Sequence, residues 1–406
     1  MLKVGFWFDA PASYSGGINY IRNLLYALSI VIKGDVCPYI FVSDDIPKNI
    51  EEKFTPLARI VKTKMLQRGT ILWFLHKVLE RVFGSMILMN ILLKSHNIRI
   101  LSHVWFEYRG RIPFRIIGWI PDFQYLHLPN FFPNLDIKKT TRHYQKIISQ
   151  SDKVILSSYD ALKDFKTIAA PKNNLCATVI QFVSQPNDAL KETTTIKNLE
   201  KKYGFKGKFF FLPSQFWEHK NHIIVFQAIK LLKDRGINVS LICTGATKDM
   251  RKKNTDNFDK INDFVNINLK SQVKILGLID YSEVLVLLKN GLAVINPSRF
   301  EGWSSSVEEA KSMGKKVVLS DIDVHVEQNP ENCHYFDPDD VEGLSHILED
   351  IWLSPKCVSD KEAEKKAQQL LQKRTIDFGN KYLKVLKDVE KKPRIPSSSR
   401  YQGNRI

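Results

Sequence analysis

Asn296-Pro-Ser-Arg-Phe-Glu-Gly-Trp-Ser-Ser-Ser-Val-Glu-Glu-Ala310 lies between two short apolar runs, Leu292–Asn296 and Lys316–Ser320. Runs of that length, rich in Val, Ile and Leu and bounded by turn residues, read as buried strands. Between them Ser305–Met313 has helix composition and stops at Gly314, a residue suited to a left-handed helix end. The segment therefore predicts a strand, a loop of small residues, a helix and a second strand. The first amides of a helix have no carbonyl partner, and the helix dipole adds positive character there. Such a loop is an anion site, and a diphosphate is expected to rest against Gly302, Trp303, Ser304 and Ser305. Glu301 precedes the helix and Glu309 lies about a turn inside it. Two acceptor-only carboxylates so placed can hold two sets of hydroxyls, a sugar on one side and a ribose on the other. A capping box, Ser305 with Glu308 or Ser306 with Glu309, competes for part of this pattern. It leaves Glu301, Pro297-Ser298 and Gly302 without an account.

Outward from this unit the same alternation continues. Strands are expected at Lys3–Phe8, Tyr39–Val42, Ile98–Val104, Arg115–Ile120, Lys153–Ser157 and Thr178–Phe182. A second series runs Phe209–Pro213, Val239–Thr244, Val273–Leu276, Leu292–Asn296 and Lys316–Ser320. Amphipathic stretches such as Asn19–Lys33, His222–Asp234 and Ser282–Lys289 lie between them. Continuous apolar strands alternating with helices imply parallel sheets covered on both faces. The polar, threonine-rich stretch 184–206 interrupts the alternation, with a short helix near Asn198–Tyr203. The expected organisation is an α/β chain of two doubly wound, Rossmann-like domains facing each other across a cleft. They cover 1–183 and 207–375 and are joined by that linker. A helix over 376–390 is expected to cross back, and a basic tail over 391–406 to be disordered.

In the first half, Gly16 and Gly17 follow the first strand and open a long helix, where glycine lets a ligand approach the backbone. A turn needs glycine too, so the pair alone is a weak signal. Asp122 stands directly beyond the strand Arg115–Ile120, where open parallel sheets place ligand groups. His127 follows five residues later and is expected to face the same cleft. The bland readings are a turn-capping aspartate after Pro121 and a histidine packed among aromatics.

The chain has 406 residues and a net charge of +17, which favours phosphate-bearing or anionic partners. No basic run is interleaved with aromatics, so a nucleic-acid platform is not expected. Five cysteines, with no C-x-x-C pair, argue against a disulfide framework or a zinc site and fit a reducing cytoplasm. The N-terminus meets Asp9 too early for a signal peptide and reads as a strand. Ile71–Leu93 is apolar, but His76, Lys77, Glu80 and Arg81 interrupt it, which rules out an ordinary spanning helix. It reads as a core-packed helix, the first choice, or as a face lying on a bilayer.

The segment 296–310, with its glutamates eight positions apart, resembles the donor signature of retaining GT-B glycosyltransferases of family 4. Gly314–Asp321 and Phe336-Asp-Pro-Asp-Asp340 extend the resemblance over most of the second half. It implies transfer of a sugar from a nucleotide-sugar donor with retention and without an obligatory metal. In that resemblance Glu301 touches the donor sugar, Glu309 holds the ribose, and Gly302, Ser304 and Ser305 approach the phosphates. Lys220-Asn221 stands where the family places a diphosphate-pairing lysine. Its companion arginine is replaced by Ser214, leaving His219 or Arg299 as candidates for the missing charge. Gly16-Gly17 resembles the acceptor-side glycine loop, and Pro121-Asp122 an acceptor-side pair whose histidine is here proline. Asp122 and His127 would orient groups rather than form a covalent link. The tracts Trp217–His222 and Pro121–Pro133 look like mannosyl- and rhamnosyltransferases of O-antigen or capsule assembly. That favours a GDP- or dTDP-sugar, a lipid-linked glycan acceptor, and a cytoplasmic protein touching an anionic membrane peripherally. Three other readings stay open: a nucleotide-sugar epimerase of the same fold, a non-catalytic glycan or nucleotide-sugar binding module, and a nucleic-acid binder.

Overall fold

The structure is a computed structural model that describes residues 1–9, 15–131, 137–170, 173, 176–186, 194–247, 256–354 and 361–391. The chain forms two compact units. Unit 1 comprises Met1–Phe123, Asp136–Phe182 and Arg374–Ile406; unit 2 comprises Gln124–Leu135 and Val183–Lys373. The stretch 124–135 thus clusters with unit 2, apart from the residues on either side of it, and the His127 ring packs on Phe300.

Among the described residues unit 1 holds seven strands: β1 (Leu2–Trp7), β2 (Val36–Ser43), β3 (Arg59–Thr63), β4 (Ile100–Val104), β5 (Arg115–Ile120), β6 (Lys153–Leu156) and β7 (Ala177–Val179). Their order is β3-β2-β1-β4-β5-β6-β7, with every pair parallel. Unit 2 repeats the plan with β8 (Phe210–Pro213), β9 (Leu241–Thr244), β10 (Val273–Ile275), β11 (Val294–Asn296), β12 (Val317–Ser320) and β13 (Cys333–Phe336). Its order is β10-β9-β8-β11-β12-β13, again parallel. In both sheets the winding reverses once, between β1 and β4 and between β8 and β11. Loops leaving the carboxyl ends of strands on either side of such a reversal part from each other and open a crevice.

Two strands escaped the sequence reading, β3 and β13. Both lie at sheet edges and carry partly exposed residues such as Arg59 and His334. A search for continuous apolar runs finds strands buried on both faces and passes over such edges.

The helix Ile196–Tyr203 has local causes. Thr195 accepts the Asn198 amide at the N-cap, and Gly204 ends the helix at φ 65°. The last described helix is longer than expected, Lys361–Lys391 instead of 376–390. Its first half is rich in Lys, Glu, Ala and Gln, strong helix formers that carry little apolar period. Residues from Arg374 onward belong to unit 1, where Phe378, Tyr382, Leu386 and Val389 are buried. The Tyr382 hydroxyl donates to Oγ of Ser102, a β4 residue, at 2.7 Å. A Cβ at Gly379 would lie 2.3 Å from the Ala27 carbonyl oxygen in the helix Ser15–Val31, so these two helices meet backbone to backbone. Gly379→Ala is expected to destabilise the protein by about 1–3 kcal/mol through overpacking, read as a lowered midpoint in thermal denaturation followed by circular dichroism.

The apolar stretch 71–93 is core-packed only in its second part, where Met86, Met89 and Leu93 join the hydrophobic core. It forms two helices, Ile71–Val82 and Ile87–Ser95, separated by a break that contains Gly84 at φ 56°. The second buries Met89 and Leu93, whereas the buried residue of the first is His76. Among the described residues no helix is long and apolar enough to cross a membrane. The proposed tail, beyond Lys391, lies outside the described residues.

Candidate functional site

The site of unit 2 forms where the loops after β8 and β11 part. After β8 the chain makes a 3₁₀ turn, Glu218–Lys220, and Asn221 takes a left-handed conformation (φ 51°) to enter the helix His222–Asp234. That turn sets Lys220 against the second loop. Lys220 Nζ lies 2.6 Å from Glu301 Oε1, and both side chains are largely buried. The same carboxylate oxygen accepts from Ser298 Oγ at 2.7 Å and from Asn296 Nδ2 at 3.3 Å. Burial pushes the Glu301 carboxyl upward, but the Lys220 ammonium and the hydrogen bonds from Lys220 and Ser298 outweigh it and bring it down to about 2. Glu301 is therefore a fixed anion at neutral pH, held by three donors on two loops.

The helix Ser305–Ser312 begins beside it. Ser304 is its N-cap but makes no side-chain cap bond. The Ser304 hydroxyl instead accepts from Asn296 Nδ2 at 2.9 Å, and its amide donates to Gln328 Oε1 at 3.2 Å. The Gln328 amide group returns a bond to the Ser304 carbonyl at 3.0 Å, so a buried glutamine clamps the loop backbone on both sides. The capping-box account fails here, because Glu308 accepts from Gln328 and Glu309 from the Tyr281 hydroxyl at 2.7 Å. The amides of Ser305, Ser306 and Val307 form the first turn and have no carbonyl within the helix. Glu309 is buried, and burial raises its carboxyl to about 7 against the opposing hydrogen bond from Tyr281.

The structure brings some of the expected residues together. Lys220 and Glu301 are in contact, and Gly302, Trp303, Ser304, Ser305 and Glu309 continue from them along one loop and helix. Others have different work. Asn221 Nδ2 donates to the Pro338 carbonyl at 3.0 Å, which pins the 3₁₀ turn to the Phe336–Asp340 segment. Arg299, a candidate for the missing cation, pairs with Asp339. Its amide donates to the carbonyl of His219, the other candidate, at 2.8 Å. Ser214 Oγ is 3.1 Å from His222 Nε2, so the serine in the arginine's place supports the helix start. The amide of Ser304 is likewise engaged, by Gln328 Oε1. In unit 1, Asp122 lies two residues beyond β5, and Gly16 and Gly17 lie in the first turn of Ser15–Val31. His127 ends a short helix of unit 2, its ring 5.1 Å from that of Phe300.

Asn296, Ser298, Tyr281, Gln328 and His325 were not singled out by sequence. Asn296 and Ser298 stand inside the decisive segment, and their value as donors to Glu301 was readable from type. Tyr281, Gln328 and His325 come from distant helices, and nothing in their spacing announces them. His325 is fully buried, with Nδ1 2.9 Å from the Ser320 carbonyl oxygen. Ser320 Oγ in turn donates to the Ser298 carbonyl, so a second layer braces the loop that carries Glu301.

Comparison with known proteins places this geometry. Residues 195–370 match the family model of glycosyl transferases group 1. The sucrose-phosphate synthase of Thermosynechococcus elongatus superposes with a TM-score of 0.71 at 15% identity, over 96% of this chain and 100% of that one. A glycosyltransferase of Rickettsia africae gives 0.65 at 16% identity, over 97% and 99%. The Anabaena protein HepE in complex with UDP gives 0.64 at 13%, over 96% and 100%. The chain has the GT-B fold, and residues 195–370, within its second unit, are similar to the glycosyl transferases of group 1. Among curated proteins it is similar to the O-antigen chain mannosyltransferase RfbU of Salmonella typhimurium, 25% identical over 154 residues, which are 38% of this chain. That match spans 41% of the relative's own length.

Proposed function

We propose that this protein is a retaining glycosyltransferase. It transfers a hexose of mannose or rhamnose type from a GDP- or dTDP-sugar to a lipid-linked glycan at the cytoplasmic face of a membrane, in surface polysaccharide synthesis. The observation that carries the donor half of this reading is the pairing of Lys220 with Glu301 at the start of the helix that also holds Glu309. The group 1 match and the UDP complex of the HepE neighbour support a nucleotide-sugar donor. The partial likeness to RfbU supports mannose and O-antigen.

The chemistry follows from the groups present. In glycosyl transfer, negative charge grows on the departing diphosphate while positive charge grows at the sugar's anomeric carbon. A preorganised ammonium and unpaired amides stabilise the first. Lys220 carries three N–H donors, so it can serve a phosphate oxygen while keeping Glu301 in place. The first-turn amides of Ser305–Val307 supply the rest of the anion cradle. Glu301, ionised and immobile, accepts hydroxyls of the donor sugar and fixes its orientation. Glu309 accepts the ribose hydroxyls. Front-face attack lets the acceptor proton pass to the leaving phosphate. Asp122 and His127 are assigned to orienting the acceptor, and Gly16-Gly17 to close approach of its substituents. No metal is required.

Screening the purified chain against a panel of nucleotide sugars, with release of nucleoside diphosphate as the readout, tests the reading. Release from a GDP- or dTDP-hexose is expected. Interconversion of the sugar without an acceptor would favour an epimerase instead. Loss of turnover in EDTA with recovery in manganese would overturn the metal-free assignment.

A further inference from the structure

The helix Ile71–Val82 is built inside out. Ile71, Phe74, Leu75 and Val82, spaced at intervals of three, one and seven, fall on one stripe of the helix. That stripe faces outward, with Ile71 88%, Phe74 64% and Val82 71% exposed. Toward the protein the helix presents His76, which is buried, and the ion pair of Lys77 with Glu80 at 3.1 Å. The Glu80 carbonyl also accepts from Arg109. The Thr70 hydroxyl caps the start by accepting the Trp73 amide, so this orientation is held at its first turn. Beyond the break, the following helix exposes Ile87 and Ile91, one turn apart, and Phe83 stands exposed between the two. Among the described residues these are a large share of the exposed large apolar side chains, and monomeric proteins rarely gather such side chains on one surface without use.

The surroundings of the patch say what covers it. From Lys64 to Lys94 the chain carries five Lys or Arg and one acid, Glu80, which is already paired with Lys77. Arg68, Arg81 and Lys94 are exposed. Arg111 is exposed as well and is tied to the second helix through the bond from Asn90 Nδ2 to its carbonyl. An apolar stripe bordered by cations is the composition of a helix lying in the headgroup layer of an anionic bilayer. A second copy of this chain fits less well, because a two-fold contact would bring two faces bordered by like charge together.

We infer that the helices Ile71–Val82 and Ile87–Ser95 form a membrane-docking face, which inserts its apolar side chains among anionic phospholipids while Arg68, Arg81 and Lys94 engage the headgroup phosphates. The inference deepens the proposed function, since a lipid-linked acceptor requires presentation at a bilayer, but its physical ground is the face itself. The full chain is sedimented, without nucleotide sugar, with vesicles of phosphatidylglycerol and phosphatidylethanolamine or of phosphatidylcholine. The protein is expected to partition onto the anionic vesicles, and less onto the neutral ones. Ile71→Glu with Phe74→Glu is expected to lower partitioning at least tenfold. Arg81→Glu with Lys94→Glu is expected to lower it by a similar factor at low salt and by little at high salt. These positions are exposed, so an unchanged circular dichroism spectrum is expected for both variants. Unchanged partitioning of the apolar double variant overturns the inference, as does a wild-type chain that ignores anionic vesicles. A wild-type dimer that the apolar double variant dissolves would assign the face to a second copy and overturn it as well. Nucleoside diphosphate release measured without vesicles reads the donor site separately, so failure of either idea is visible alone.

Discussion

Lys220→Met lowers turnover of the nucleotide sugar by about 100- to 1000-fold, the cost of removing one preorganised donor from a developing oxyanion. The affinity for the acceptor changes little. The substitution also shifts stability, and the direction follows from Glu301. In the wild type this carboxyl sits at about 2, below its ordinary 4.5, because Lys220 and the hydrogen bonds overcome burial. A depressed carboxyl contributes stability that is present above pH 4.5 and lost as pH falls toward 2. Without the ammonium, burial dominates and the carboxyl rises instead. Stability of the variant then decreases as pH rises, with a loss of about 3–5 kcal/mol near pH 7 for a largely buried charge that has lost its ion-pair partner. The double variant Lys220→Met with Glu301→Gln recovers most of that stability but not the turnover. Thermal midpoints between pH 4 and 8, together with nucleoside diphosphate release, separate the two effects. Wild-type turnover in Lys220→Met would remove the donor-site assignment.

Glu309→Gln raises the KM for the nucleotide sugar about tenfold or more, the loss of hydrogen bonds to a charged acceptor, while kcat remains within about threefold. The wild-type pH dependence carries the finer test. Burial holds the Glu309 carboxyl at about 7. If ribose hydroxyls donate to it, the ionised form binds the donor, so KM falls as pH rises toward 7 and levels above it. In Glu309→Gln that slope disappears. Stability moves the other way. A carboxyl raised above 4.5 costs stability progressively from pH 4.5 to 7, because the unfolded chain releases that proton first. Glu309→Gln is therefore more stable than wild type at pH 8, by about 3 kcal/mol for a shift of this size, and equal to it at pH 4. A wild-type KM that is flat from pH 6 to 8 would remove the ribose role. The residue is thus expected to cost the resting fold some stability in exchange for donor recognition.

The sequence carried the architecture well, because a strand buried on both faces must be apolar at every position. Arg115–Ile120 and the helix His222–Asp234 have the bounds expected of them. The edges β3 and β13 were hidden because solvent tolerates their polar residues. The helix Lys361–Lys391 was half hidden because propensity leaves a fainter mark than period. At the site, residue type and local spacing marked Glu301, Glu309 and Lys220 as candidates. The contact between Lys220 and Glu301 was beyond reach, since 81 positions separate them and it is the β8–β11 reversal that joins their loops. For the same reason the contacts of Asn221 and Arg299 were not legible. Their partners, Pro338 and Asp339, arrive from a part of the chain whose return nothing local foretells.

Unit 1 draws residues from three separate stretches, the last beginning at Arg374. Phe378, Tyr382, Leu386 and Val389 fill its interior, and each such side chain contributes about 1.5–3 kcal/mol when withdrawn from water. A ribosome delivers them after nearly all of unit 2 has emerged. The nascent first half must then wait with an open seam, while the later half has what it needs to close. A fragment ending at residue 183 is expected to keep that seam exposed to aggregation.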